Sequence, residues 1–556
     1  MGKFATKRRK KRQFCGNCFS KVARVDNEEG NDVKKTPRGR FLMRNVRHTT
    51  WANRTWLPEK LQQLINEESN EETLDYNGNN ITGFRFCDME LFAVVFGLLK
   101  CPECECVGLS LEEDDISRKG CAWKLRLCCQ RCNWKQLFWT SKRTEKSFEV
   151  NKRLIYGMRR IGKGHAGASK FCSVMNMPSP FTAKSFRRSS RPISRHVKNA
   201  AKSCMKLAAK EVHAKNRNVN YSNDSAPVNC GISCDGTWQR RGHSSLNGCV
   251  TVISMDNGKV LDVEALTNHC KEYKFHEKLD RNSEQYKKWK AKHTNCKANY
   301  QRSAPAMEPE GASRIFKRSV EENNLQYTDF YGDGDSKSFS EVKNIYPGIE
   351  VQKRECIGHV QKIVGTALRK LKKDNPGLGC KGKLTNAMID KLENYYGITV
   401  RSNVGDLGKM TKAIHASHFH CASSDANSYH IFHCPPGSES WCRYQQDKAN
   451  GTNLYKHGPG LPKDIIKLVK PVYPRLSDKS LPEKCLHGKT QNQNEALNAL
   501  IWQRISKEVF VNKDTLELGV YDAVMHFNIG CSAITEIFND MKTQKKRKRS
   551  QKKPVK

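Results

Sequence analysis

The sequence predicts an α/β protein: three antiparallel strands continued by helix-linked parallel strands, interrupted by a long helical insertion and preceded by a small cysteine-rich module. Three observations carry that expectation. Two CxxC pairs, Cys101/Cys104 and Cys129/Cys132, flank a stretch suited to a strand hairpin. VNCGISC and the two β-rich runs of GCVTVISMDNGKVLDVEAL follow a basic helical region, and helical and strand-like runs then alternate in the order βββ, α, β, α, β, α. Finally, the next chemically suggestive helix, KTQNQNEALNALIWQRI, comes only after more than a hundred residues of helical pattern.

Taken along the chain, residues 1–13 form a basic tail, and residues 14–100 a region to which no fold is assigned, with an isolated CxxC at Cys15/Cys18. Residues 101–140 read as a zinc ribbon. Four thiolates, two from each tight turn, close a tetrahedral zinc site, so Cys101, Cys104, Cys129 and Cys132 are the expected ligands, with Cys106, Cys121 and Cys128 as spares. Residues 150–225 are helical, with a break expected at Pro192 because proline lacks an N–H and crowds the preceding turn. Residues 226–361 hold the first part of the sheet, where Asn257-Gly258 suits a two-residue type I′ hairpin. Residues 362–480 form the helical insertion, 481–540 the returning core helices, and 541–556 a second basic tail.

The 556 residues contain 98 Lys plus Arg against 57 Asp plus Glu, a net charge of +41, which favours a polyanionic partner such as DNA through counterion release. A membrane span is excluded by length: the longest apolar run, Leu91 to Leu99, is about half of the ~20 residues needed. MGKFATKRRKKRQF has no apolar signal core, so the 24 cysteines are expected as thiols or metal ligands in a reducing compartment. KRRKKR and KKRKRSQKKPVK suit nuclear import or nucleic-acid contact.

The strand order expected is that of a ribonuclease-H-like core, in which carboxylates gather at the ends of adjacent strands. Asp235 ends the first strand in ISCDGTWQRRG, and Asp333 ends the fourth in YGDGDSK, with Asp335 as its alternate. A pair of Mg²⁺ (or Mn²⁺) ions needs further anionic oxygen, and Glu495 flanks the Leu497/Leu500/Ile501 stripe of the returning helix. Asp235, Asp333 and Glu495 are therefore the expected catalytic, Mg-holding triad. Arg240, Arg241 and Trp238 would contact DNA, the arginines at phosphates and the indole as a stacking platform, unless Trp238 belongs to the core. In the insertion, His418, His420, Cys421, His430, His433, Cys434 and Cys442 fall within 25 positions, and thiolate plus imidazole suits zinc. Cys421, His433, Cys434 and Cys442 are named there as zinc or structural residues.

CDGTWQRRGHSSLNG, YGDGDSKSFSEV, ECIGHVQK and KTQNQNEALN, in that order, resemble the Mutator-like transposases of cut-and-paste elements, over roughly residues 150–530. The resemblance implies a DDE-type acidic triad, here Asp235, Asp333 and Glu495, acting on transposon ends and target DNA; the basic tails suggest a nuclear location, and bringing two ends together for the reaction implies a homo-oligomer. The family's CxxH falls on Cys356 and His359, to brace the site, touch DNA or bind zinc; Cys485 and His487 are expected to approach it and complete a Cys2His2 set. The doubled acid of GDGD departs from the family pattern and leaves the second position open between Asp333 and Asp335. The other readings are a transposase-derived DNA-binding protein without catalysis and a ribonuclease-H-like nuclease without strand transfer.

Overall fold

The computed structural model describes residues 83–541, apart from breaks at 115–116, 145–146, 179, 218–225, 241–243, 295, 333–336, 425–427, 453, 459 and 540. Both basic tails, Cys15/Cys18, Arg241, Asp333 and Asp335 lie outside the described residues. The described chain is mixed α/β. No described helix is long and apolar enough to cross a membrane.

After helix α1 (Met89–Gly97), strands β1 (Leu109–Glu113), β2 (Lys124–Cys129) and β3 (Lys135–Trp139) form an antiparallel meander in that order. Alternate residues at the start of β2 turn inward, so Leu125 and Leu127 are buried while Lys124 and Arg126 are only partly so. A two-residue pair, β4 (Arg143–Thr144) with β5 (Ser147–Phe148), leads into α2 (Glu149–Arg160).

Helix α3 spans Ala183–Arg217 and runs unbroken through Pro192. The break expected there does not occur, because Phe186, Ile193, Val197, Ala201 and Met205 bury one stripe against α2 and the C-terminal helix on both sides of the proline. That packing outweighs the local loss of one helical hydrogen bond.

The main sheet contains β6 (Val228–Trp238), β7 (Asn247–Ser254), β8 (Val260–Thr267), β9 (Leu325–Gly332) and β10 (Gln352–Glu355), in the spatial order β10-β9-β6-β7-β8. The β6–β7 and β7–β8 pairs are antiparallel; β9 is parallel to β6, and β10 to β9. Every residue of β7 is buried because helices cover both faces of the sheet. Cys230, Ile232, Cys234, Val250 and Val252 share one core with Ala312, Ile315 and Phe316. Cys249, Ile253, Val260 and Val263 share the other with α3 and the C-terminal helices.

The β7–β8 hairpin exists, but its turn is longer than two residues. Gly258 has φ +71° while Asn257 does not enter the left-handed region, and Ser254 N–H donates to the Lys259 carbonyl. Asn257 instead donates from Nδ2 to the Ala208 carbonyl, which ties the turn to α3.

The connection from β8 to β9 holds two short helices, α4 (Lys271–His276) and α5 (Glu284–Lys292), and then α6 (Met307–Asn323). The β9–β10 connection holds α7 (Lys337–Val342). Beyond β10, α8 (Ile357–Asp374), α9 (Asn386–Arg401), α10 (Leu407–Ala422) and several shorter helices build a separate core around Val364, Leu392, Tyr396 and Ile414. The chain then returns to the sheet as α11 (Asn492–Arg504) and α12 (Lys513–Ile529). Leu497 and Ile501 are fully buried under α12. The buried Asp522 of α12 accepts from Tyr156, Arg160 and Arg504, and so fastens α2, α11 and α12 together.

Candidate active site and metal centres

Asp235 lies on β6, the middle strand, opposite Thr251 of β7; it does not end that strand as expected, because β6 stays paired with β7 through Trp238. Its Oδ2 accepts a 2.6 Å hydrogen bond from Asn498 Nδ2 on α11. That bond is one rung of a ladder. Asn494 Nδ2 donates to the Ser233 carbonyl at 3.5 Å, and Trp502 Nε1 to Thr237 Oγ1 at 2.7 Å. Four helical residues rise about 6 Å and two strand residues about 6.6 Å, so 494/498/502 stay in step with 233/235/237. Just before the helix, Gln491 Nε2 donates to the carbonyls of Cys234 and Tyr331, bridging β6 to the end of β9.

Glu495 stands on the flank of this ladder, one turn before Asn498, with a largely exposed carboxylate 3.8 Å from Lys362 Nζ of α8. The described part of β9 ends at Gly332, beside β6 and paired with Glu355 of β10. Asp235 and Glu495 are thus carried on two elements that contact each other directly.

Cys356 caps the start of α8 and its Sγ accepts from the Gln491 N–H at 3.3 Å. Burial would raise this thiol, yet hydrogen bonds from His359 and from the Gln491 backbone leave it below its ordinary value. The CxxH pair therefore braces the turn that aims Gln491. Cys485 and His487 do not complete a four-ligand set with it: among the described residues, no group of three or more ligand atoms within 4.8 Å contains these residues. The reason is visible at His487, where Nε2 bonds the Glu355 carbonyl and Nδ1 accepts the Lys489 N–H, leaving neither nitrogen for a metal. These bonds clamp the returning chain to the end of β10.

On the opposite face of β6, Glu308 of α6 comes so close to Gly236 that a Cβ there would lie 2.7 Å from its Cγ. Glu308 also accepts from Ser338 Oγ at 2.8 Å. The structure assigns Trp238 to packing: its Nε1 donates to the Ala304 carbonyl and its ring lies against the core of that face. Arg240 donates to the Glu508 carbonyl at 3.0 Å.

In the ribbon, the sulfurs of Cys101, Cys104, Cys129 and Cys132 all lie within 4.8 Å of one another, with Cys101–Cys132 at 3.5 Å and Cys104–Cys129 at 3.6 Å. Backbone N–H groups of Arg131 and Cys132 favour the Cys129 thiolate and bring it down to about 6. This quartet can bind zinc. Cys106, Cys121 and Cys128 stand outside it.

A second quartet in the insertion joins His420, His430, Cys434 and Cys442, all buried, and it too can bind zinc. Cys434 Sγ is 3.5 Å from Nδ1 of both His420 and His430, and Cys442 Sγ is 3.4 Å from His430 Nδ1. Cys434 and Cys442 are the residues expected from the sequence, but Cys421 and His433 are not part of the set. Cys421 turns into the helical core, and His433 stacks on Phe419 at 4.1 Å. His418 packs between Phe419 and Tyr473.

A family model described as Mutator-like transposase matches residues 83–442. The chain belongs to the Mutator-like transposase family. No match to a curated protein accompanies it. The matched span contains both metal quartets and Asp235 and ends before Glu495. Family membership makes DNA the partner and DNA cleavage and transfer the general activity of such proteins. In this transposase, sequence reasoning missed Gln491, Asn494, Asn498, Trp502 and Glu308. The first four had a signal: polar or amphipathic residues recur three to four apart through QNQNEALNALIW, which marks a helix face that meets backbone and carboxylate.

Proposed function

We propose that the five-stranded sheet is the ribonuclease-H-like core of a DDE-type transposase, in which Asp235, Asp333 and Glu495, with Asp335 as alternate for Asp333, hold two Mg²⁺ or Mn²⁺ ions. The observation that carries this is the placement of Asp235 on the central strand, gripped by Asn498 from the helix that bears Glu495. Strand order 3-2-1-4-5, with the fourth and fifth strands parallel to the first, supports it.

The residues fit such ions. Carboxylate oxygens are the donors hard cations prefer, and the buried Asn498 Oδ1 has no hydrogen-bond partner, so it is available to a bound water. When bound, the ions supply charge stabilisation at the attacked phosphorus and acidify a nucleophilic water. The protein does the positioning. Asn498 fixes the Asp235 carboxylate, Gln491 ties β6 to the end of β9, and Lys362 offsets the charge of Glu495. One such site serves both hydrolysis of a transposon end and attack of the freed 3′-OH on target DNA, since both are in-line displacements.

Holding two transposon ends requires a dimer or larger assembly, and the basic tails would direct the protein to the nucleus. Imaging of a tail-deleted fusion and light scattering on the DNA complex test these two points. For the chemistry, wild type and Asp235→Ala are incubated with terminal-repeat DNA and Mg²⁺ or Mn²⁺, then with a target plasmid. Metal-dependent nicking and joined product from wild type alone are expected. Cutting by both proteins, or by neither while DNA is firmly bound, refutes the proposal; cutting without joining reduces it to a nuclease.

A further inference from the structure

Between β8 and α6 the chain forms a small hairpin of helices that the transposase chemistry does not use. Helices α4 and α5 have six and nine residues, and neither buries a single side chain. Helices this short are marginal in water unless something fixes their ends. Trp289 stacks on His276 at 4.3 Å and meets Tyr273 at 5.9 Å, but all three side chains are partly exposed.

The ends themselves supply the fastening. Cys270 caps the start of α4, His293 caps the end of α5, and Cys296 follows three residues later. Their ligand atoms all lie within 4.8 Å of one another, with Cys270 Sγ 3.4 Å from His293 Nε2. In a tetrahedral zinc site, metal–sulfur bonds near 2.3 Å and metal–nitrogen bonds near 2.0 Å separate neighbouring ligands by about 3.5–3.8 Å, close to the Cys270–His293 separation and inside the limit within which Cys296 also falls. The other imidazole nitrogen, His293 Nδ1, is 2.9 Å from Glu272 Oε2. A carboxylate behind a ligating histidine fixes its tautomer and aims the opposite nitrogen at the metal.

We propose that Cys270, His293 and Cys296 bind one Zn²⁺ that staples the two ends of this hairpin, with Glu272 as the carboxylate behind His293. The two thiols lose their protons to solvent on binding. No further Cys, His, Asp or Glu atom joins the set among the described residues, and Cys296 is exposed, so water takes the fourth position. Small units with little core commonly depend on such a staple.

The test is metal content of the full-length protein under reducing conditions. Cys296→Ser and His293→Ala should each contain one zinc fewer per chain than wild type. Glu272→Gln should keep the zinc at saturation but release one ion to a competing chelator about 10- to 100-fold more readily. Zinc content unchanged in both ligand variants overturns the proposal. Should those variants lose all zinc by misfolding, the Glu272→Gln competition decides: an unchanged chelator curve refutes the site, and selective weakening of one ion supports it.

Discussion

The hydrogen bond from Asn498 to Asp235 makes a quantitative claim about how helix α11 is held on strand β6. Replacing Asn498 with alanine removes a 2.6 Å bond to a carboxylate while leaving the Asn494, Trp502 and Gln491 contacts in place. A hydrogen bond to a charged group contributes about 1.5–3 kcal/mol net. Both side chains are only half-buried, so water replaces part of the loss, and the coupling should be about 1–1.5 kcal/mol. Asp235→Ala, Asn498→Ala and the double variant form a cycle that isolates this term. Hydrogen exchange of the amides in residues 492–504 reads it locally, because 1–1.5 kcal/mol corresponds to about a 5- to 13-fold change in opening. The single variants should each speed exchange, and the double variant should add little to either. If the two effects instead add to within about 0.5 kcal/mol, the carboxylate and the amide do not interact and the ladder reasoning fails.

Gly236→Ala places a Cβ 2.7 Å from Glu308 Cγ, close to the root of that side chain, and should destabilise by about 1–3 kcal/mol in urea denaturation; unchanged stability would show the strand and α6 to be further apart. In the helical insertion, His430→Ala should release zinc from the full-length protein while His433→Ala retains it, because only the first faces the sulfurs; metal analysis that finds the reverse removes the quartet. Burial pushes His487 down from 6.5 to about 4. The unfolded chain binds that proton more readily, so His487 leaves stability intact above pH 6.5 and costs an increasing amount as pH falls toward 4. Wild type should lose on the order of 2 kcal/mol more than His487→Gln across that window; parallel pH curves would contradict it.

Local chemistry made several parts of this molecule legible. Paired CxxC turns need only adjacent knuckles, so the ribbon sulfurs converge as the spacing implies. Alternating and β-rich runs around Asn257-Gly258 gave a hairpin, and the switch from strand to helix periods gave the order of elements along the chain. The exact turn escaped because Asn257 is engaged by the Ala208 carbonyl of a helix far away in sequence.

The sequence by itself determined most element types, their order along the chain and which short motifs carry thiols and carboxylates, since these follow from periodicity and spacing of a few residues. Only the tertiary structure decided which neighbours act together. Successive helical residues point about 100° apart, so His420 faces a metal quartet while Cys421 enters the core. Helix α3 survives Pro192 because packing along its whole length outweighs one lost bond. Asn498 meets Asp235 across 263 positions, and the equal rise of four helical and two strand residues is a property of contact between elements that no stretch of sequence contains.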